Sequence, residues 1–118
     1  GRNRCVPIHS KIKGLISARM EQAKTLGSEY LFNDPDCYAG MHMTYDKYRV
    51  RWNKICKKLG FLHRPHDTRH TFITLAKEAG MNEYVIKLIA GHAIDDVTEK
   101  VYTHRTMEQL HAEIEKIK

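Results

Sequence analysis

The sequence has few cysteines and no long apolar run, and these two shortages exclude several classes of protein. Its three cysteines, Cys5, Cys37 and Cys56, are widely spaced and form no Cys-x-x-Cys pair, which argues against a disulfide framework or a structural zinc site. No stretch approaches the roughly 20 apolar residues of a transmembrane helix, and no signal peptide or internal repeat is visible. We therefore expect a cytoplasmic protein with reduced cysteines and no metal or cofactor.

Length and charge narrow the remaining classes. The 118 residues suffice for one core, and we expect residues 1–118 to form a single domain. Lys and Arg number 20 against 14 Asp and Glu, a formal charge of +6, which favours a polyanionic partner. The charge is a modest signal by itself, because many basic domains bind no nucleic acid.

Apolar spacing predicts a mainly α fold with one or two small strand pieces near the N-terminus. Helices are expected over residues 10–26, 45–59, 66–79, 83–90 and 106–118. The expected N-caps are Ser10, Thr44 and Asn82. The glycines expected to end helices are Gly27, Gly60, Gly80 and Gly91. Extended pieces are expected at residues 4–8 and 29–32. A further turn is expected to start at Asp95-Asp96 or at Thr98 and to carry Val101 and Tyr102. A lone strand is not stable, so the first piece needs a partner.

The predicted helix over residues 45–59 carries an apolar stripe between basic positions. The stripe consists of Tyr45, Tyr48, Trp52, Ile55, Cys56 and Leu59. The basic residues are Lys47, Arg49, Arg51, Lys54, Lys57 and Lys58. Such a basic run is either a solvated face or a surface that follows DNA phosphates, and the sequence leaves both interpretations open.

The stretch from His66 to His70 gathers groups that suit an anion. Pro65 precedes it, as is common where a chain enters a helix. At about 100° per residue, His66, Arg69 and His70 share one stripe of that helix, away from the apolar stripe of Phe72, Leu75, Ala76 and Ala79. Two imidazoles and one guanidinium at a helix start favour the binding of a phosphate.

Together with Gly91-His92 and Tyr102, this stretch supplies residue types that are suited to cleave a phosphodiester. A tyrosine hydroxyl, with a pKa of about 10, attacks only a polarised centre and needs an acceptor for its proton. Arg69 is suited to hold two non-bridging oxygens of the phosphate and to stabilise the charge of the transition state. His66 or His92 is suited to accept or position a proton. We therefore predict Tyr102, Arg69, His66 and His92 as catalytic residues of a metal-independent cleavage.

Each of these residues also has a purely structural interpretation. A histidine such as His66 commonly sits at a helix start or in a core, and Arg69 is free to pair with a carboxylate. His92 is placed to cap the preceding helix with its side chain, and Tyr102 is one of six tyrosines. The joint pattern is much less expected by chance than any one of its members.

The motifs resemble the C-terminal signature of tyrosine recombinases, the phage-type integrases. They are His66-Asp-Thr-Arg69-His70, Ala90-Gly91-His92 and Thr98-Glu-Lys-Val-Tyr102-Thr-His104. The resemblance implies that Tyr102 forms a 3′-phosphotyrosyl link to DNA while Arg69, His66 and His92 bind and activate the scissile phosphate. It gives His70 and His104 supporting positions. It also implies an α+β family fold, a double-stranded DNA partner and a homotetramer on DNA for the full-length protein.

The resemblance also implies groups that these residues do not supply. The family uses a first arginine far upstream and a lysine in a β-hairpin, and residues 1–8 resemble the second strand of that hairpin. Lys11 and Lys13 follow the strand and do not fit the lysine. We therefore expect residues 1–118 to be the C-terminal portion of a catalytic domain, without the N-terminal DNA-binding domains and with weak or no recombination alone.

Three further interpretations remain open at this point. A non-catalytic, helix-turn-helix-like DNA-binding module is the alternative function, although the apolar Val85, Ile86 and Ile89 indicate that the second helix is buried. A metal site at Cys37 and His42 is weak, because no second ligand pair has the right spacing. The last helix, with an apolar side formed by Met107, Leu110, Ile114 and Ile117, packs either on this chain or on a neighbouring protomer.

Overall fold

The computed structural model describes residues 5–34, 42–92 and 106–118, and its fold is mainly helical. Within these ranges lie five α-helices and no strand, so the mainly α class is confirmed. The helices are α1 (Lys13–Leu26), α2 (Tyr45–Leu59), α3 (Asp67–Glu78), α4 (Glu83–Ala90) and α5 (Met107–Ile114).

The chain divides into two compact units. The first, called here the α3–α5 unit, contains residues 5–10, 68–92 and 106–118 of the described chain; the second, the α1–α2 unit, contains residues 11–34 and 42–67. The expectation of a single domain over residues 1–118 stays a prediction. The turn predicted to carry Val101 and Tyr102 lies outside the described residues.

Helix ends follow the predicted capping chemistry at most positions. The Thr44 hydroxyl accepts a hydrogen bond from the Lys47 N–H, and the Asn82 side chain accepts from the N–H groups of Tyr84 and Val85. Gly27 and Gly60 end α1 and α2 in the left-handed region, with φ of 70° and 77°, where glycine is favoured. These predicted helix boundaries are confirmed.

The N-cap predicted at Ser10 is wrong. Ser10 to Ile12 form a single 3₁₀ turn, and α1 begins after it without a side-chain cap. The Ser10 N–H and hydroxyl donate to the two carboxylate oxygens of Glu115, at 2.6 and 2.8 Å. Ser10 thus binds a distant residue of the α3–α5 unit and is unavailable to α1.

The strand predicted at residues 4–8 is not formed by residues 5–8, which have no regular secondary structure. Pro7 is buried, and the next residue but one, His9, lies with its Nε2 2.5 Å from the Ile117 carbonyl oxygen. At residues 29–32 the chain bends, and the adjacent Asn33 makes an isolated antiparallel bridge to His42. An extended segment without a ladder partner cannot build a sheet.

Helices α3, α4 and α5 surround one apolar cluster. Its buried members are Ala76, Met81, Val85, Ile86, Ile89, Leu110 and Ile114. Helix α5 therefore packs on this chain's own core, although it ends at Ile114 and is shorter than the predicted helix over residues 106–118. Thr106 and Gln109 form a capping box at its start. This core fixes α3, which carries Arg69, and α4, whose C-terminal end is followed by His92.

The apolar stripe of α2 is mostly open to solvent. Cys56 is buried and Trp52 half-buried, but Tyr45 and Leu59 are 65% and 64% exposed. Periodicity predicts which side of a helix is apolar, but it does not predict how much of that side is covered. No helix among the described residues is long and apolar enough to cross a membrane.

Candidate active site

The loop before α3 is tied to α2 through the carbonyl oxygen of His63. The Trp52 indole N–H donates to this oxygen at 2.6 Å, and the Cys56 thiol lies 3.8 Å from it. The Phe61 ring lies beside the His63 imidazole, with ring centroids 5.6 Å apart. The tryptophan and cysteine of the α2 stripe thus hold the backbone that leads to His66.

Asp67 closes the next turn of the chain. Its N–H donates to the Arg64 carbonyl oxygen at 3.0 Å, and its carboxylate accepts from the Arg64 N–H at 2.8 Å. The His63 Nδ1 lies 3.5 Å from the same carboxylate. The Arg64 N–H, followed by interaction with His63, holds the pKa of Asp67 below its ordinary value.

Asp67 belongs to the motif from His66 to His70, but its role in this turn is not among the predictions from the sequence. Its position three residues after Arg64 matches the offset at which a capping box turns a side chain back to the preceding backbone. The offset therefore predicts this turn from the sequence, although Arg64 stands where a capping box has Ser or Thr.

Arg69 is the third residue of α3 and is half-buried. The helix is anchored by Ala76, which is fully buried, and by Phe72 and Ile73 against the core cluster. Within residues 5–34, 42–92 and 106–118, no carboxylate lies within ion-pair distance of Arg69. The structural interpretation of Arg69, a pair with a carboxylate, is therefore not realised in the described part of the chain.

His92 follows the glycine that ends α4. Gly91 has a φ of 76°, and the N–H groups of Gly91 and His92 donate to the carbonyl oxygens of Leu88 and Lys87 at 3.3 and 2.9 Å. The backbone of His92 therefore caps α4, and its side chain is exposed. This leaves the imidazole available for another partner.

The structure places Arg69 and His92 in the same compact unit. His66 is exposed in the turn directly before α3, and the carbonyl oxygen of His70 accepts a 3.1 Å hydrogen bond from the Thr74 hydroxyl. Tyr102 and His104 lie outside the described residues. The role of Tyr102 is therefore a prediction from the motif.

Helix α4 is unsuited to act as the recognition helix of a helix-turn-helix module. Five of its eight residues, Tyr84, Val85, Ile86, Ile89 and Ala90, are buried. A recognition helix must expose a face to the major groove. The predicted burial of this helix is confirmed, and the observation weighs against the alternative function.

A buried carboxylate that the sequence pattern does not single out lies beside the basic residues of α2. Asp34 is 1% exposed. Its carboxylate lies 2.8 Å from the Arg51 guanidinium and 3.5 Å from the Lys47 ammonium. A buried charge requires such partners, so two of the six basic residues of α2 are held in place.

The weak metal-site interpretation involves one residue that the structure describes. His42 bridges to Asn33, and its ring meets the edge of Tyr30 with centroids 4.8 Å apart. Cys37 lies outside the described residues, and this interpretation stays open.

Comparison with known proteins agrees with the motif resemblance. Residues 1–109 match the phage integrase family, and the chain belongs to that family. Over 118 residues it is 30% identical to the tyrosine recombinase XerA of Pyrococcus horikoshii, of which it covers 41%. A 71-residue stretch, 60% of the chain, is 35% identical to the tyrosine recombinase XerA of Saccharolobus solfataricus and covers 24% of it.

A third relative is a transposase. Over 53 residues, 45% of the chain, the sequence is 40% identical to the transposase from transposon Tn916 of Enterococcus faecalis and covers 13% of it. The chain thus spans less than half the length of each of these relatives. No solved structure matches it significantly.

Proposed function

We propose that this chain supplies the phosphate-binding and cleaving residues of a site-specific DNA recombinase. Family membership and the named recombinase and transposase relatives support recombination as the class of activity. The observation that carries the proposal is the setting of Arg69: a half-buried residue in the first turn of a core-anchored helix, without a carboxylate partner in the described chain. Such a group is suited to a phosphate.

In the proposed reaction the Tyr102 hydroxyl attacks a phosphorus atom of the DNA backbone. A bond forms between the tyrosine oxygen and phosphorus, and the bond from phosphorus to the 5′ oxygen of the next nucleotide breaks. The tyrosine proton passes to a base and the 5′ oxygen takes up a proton. The phosphate becomes a 3′-phosphotyrosyl ester, and attack by a 5′ hydroxyl reverses these steps. No metal or cofactor takes part in this scheme.

Arg69 binds two non-bridging oxygens and stabilises the negative charge that builds on them. His92 projects from the end of α4 and donates to, or accepts from, the same phosphate. His66 lies in the turn closed by Asp67, and we assign it the proton from Tyr102 or the orientation of that proton.

The resemblance assigns none of residues 1–118 to the family's first arginine or its hairpin lysine. We therefore propose that residues 1–118 alone support little or no strand exchange. Efficient exchange of labelled DNA by the isolated chain would contradict this part of the proposal.

The proposal is tested by recovering covalent protein–DNA adducts from cells that express the full-length protein. Denaturation removes DNA that is bound without a covalent bond, and sequencing of the DNA that stays attached identifies the cleaved sites. We expect adducts at defined sites for the natural protein and none for Tyr102→Phe, which keeps the ring and lacks the nucleophilic oxygen.

The matched control is Tyr45→Phe, which removes the hydroxyl of an exposed tyrosine on α2. This variant should form adducts at the natural level. Adducts that survive in Tyr102→Phe refute the assigned nucleophile, and selective binding without any adduct favours the non-catalytic DNA-binding module.

A further inference from the structure

The segment that leads from α2 to His66 is a loop with little apolar burial. Residues 61–64 have no regular secondary structure, and the Leu62 side chain is 96% exposed. Neither a helix ladder nor core packing therefore fixes the path of this segment. The position of His66, which follows His63 by three residues, depends on the polar contacts of the loop.

Two sets of such contacts meet at His63. Its carbonyl oxygen accepts the Trp52 indole N–H at 2.6 Å. Its Nδ1 lies 3.5 Å from the Asp67 carboxylate, which accepts the Arg64 N–H at 2.8 Å. The first contact ties the loop to α2, and the second ties it to the first residue of α3. The backbone around His66 is thus held at both ends of its turn, and all of these residues belong to the α1–α2 unit.

The Trp52 indole is a well-oriented donor. Its ring is half-buried and stacks on Tyr48, one turn earlier in α2, with ring centroids 6.4 Å apart and 22° between the planes. One turn later, the Sγ of the buried Cys56 lies 3.8 Å from the same carbonyl oxygen. An indole N–H only donates, and it needs an acceptor when the ring is buried. A ring held in this way loses little conformational entropy when it makes the bond.

We propose that Trp52 is a positioning residue for the cleavage: its indole N–H holds the His63 carbonyl oxygen and thereby places His66 for proton transfer. The inference rests on the proposed function, which assigns His66 the proton of Tyr102 or the orientation of that proton. Proton transfer requires heavy atoms within hydrogen-bond reach, and a displacement of about 1 Å costs up to about 100-fold in rate. Trp52 acts through the backbone and needs no contact with DNA.

Two substitutions at this position separate the N–H from the ring. Trp52→Phe keeps an aromatic ring and lacks the donor. Trp52→Gln lacks the ring, but its amide N–H lies as many bonds from the Cα atom as the indole N–H does, and glutamine is a good helix former. The rate of adduct formation is measured with full-length protein in excess over a labelled duplex that contains a site recovered in adducts of the natural protein. The control is Tyr45→Phe, at an exposed position of α2.

Trp52→Phe should form adducts roughly 10- to 100-fold more slowly at an unchanged DNA affinity. Trp52→Gln should be faster than Trp52→Phe and yet melt at a lower temperature, because it loses the buried ring. This opposite order of rate and melting temperature is not expected if Trp52 only packs. A natural rate for Trp52→Phe, or a slower rate for Trp52→Gln than for Trp52→Phe, overturns the proposal.

A double-mutant cycle tests whether Trp52 acts through His66. The variant His66→Ala is expected to be slow by itself. Adding Trp52→Phe to it should change the rate by less than about twofold, because the group that Trp52 positions is already absent. Two losses that multiply in full would contradict the assignment to His66.

Hydrogen exchange of the full-length protein gives a readout that needs no cleavage. The Arg64 N–H donates to the Asp67 carboxylate, and the Asp67 N–H donates to the Arg64 carbonyl oxygen. A peptide covering residues 61–68 should exchange faster in Trp52→Phe than in the natural protein or Trp52→Gln, because loss of the bond to His63 loosens this turn.

The two readouts separate the inference from the proposed function. If exchange follows the donor but the natural protein forms no adduct, the proposed cleavage fails and the tie between α2 and the loop remains. If adducts depend on Tyr102 but Trp52→Phe keeps the natural rate, the inference fails alone.

Discussion

At the scale of single residues, hydrogen bonds to and from backbone groups position the residues of the candidate site. The His63 carbonyl oxygen is held by Trp52, the Asp67 carboxylate closes the turn on the Arg64 N–H, and the backbone of His92 caps α4. Motif spacing predicts which residues contribute to the site. It does not predict these backbone contacts, because they depend on the path of the intervening loop.

Arg69→Lys keeps the charge of the site and removes the planar pair of donors. We expect the rate of adduct formation by the full-length protein to fall by about 100-fold, as for loss of one donor to a developing anion. The melting temperature should stay close to the natural value, because Arg69 has no ion pair in the described chain. An unchanged rate would remove Arg69 from the mechanism.

The Asp67 carboxylate makes the stability of the α3 start dependent on pH. Because the Arg64 N–H lowers its pKa in the folded chain, its contribution is present above the ordinary carboxyl pKa of about 4 and is lost as the pH falls through the folded value. Asp67→Asn should therefore flatten the acid side of the curve of unfolding free energy against pH, measured by denaturant titration. Ser10 lowers the pKa of Glu115 in the same way, so Glu115→Gln should flatten it further.

At the scale of elements, apolar periodicity and capping residues predicted the α-helices closely. Gly27, Gly60 and Asn82 mark boundaries that the structure confirms. The errors have a common physical reason: the Ser10 side chain and the path of the chain next to residues 5–8 are determined by contacts with residues more than 100 positions away. Sequence-local rules do not include such contacts.

The packing of α4 gives a prediction about stability. Ile86 is 2% exposed within the core cluster, so Ile86→Ala should lower the free energy of unfolding by about 2–5 kcal/mol through lost burial and a cavity. Leu75→Ala truncates a side chain of similar size at a 45% exposed position of α3 and should cost less than about 1 kcal/mol. Equal losses in urea unfolding would contradict the assigned core.

At the scale of the whole molecule, the order of His66, Arg69, His92 and Tyr102 identified the family before any geometry was known. The structure adds that Arg69 and His92 share one compact unit and that the core of this unit includes α5. The approach of Tyr102 to a phosphate stays a prediction from the resemblance, since residues 93–105 lie outside the described chain. The charge total likewise gave a partner class, and the residue pattern gave the helix that carries much of the charge, but neither predicted the buried Asp34 that pairs with Lys47 and Arg51.

The central claim is that Tyr102 becomes covalently attached to DNA, and the attachment point tests it most directly. Adducts of the full-length protein are digested with nuclease and trypsin, and the modified peptide is identified by mass spectrometry. Trypsin cleaves after Lys100 and Arg105, and residues 101–105 contain Tyr102 as their single tyrosine. We predict a nucleotide joined to Tyr102 of this peptide through its 3′ phosphate; a nucleotide on any other tyrosine, or one joined through its 5′ phosphate, would contradict the account.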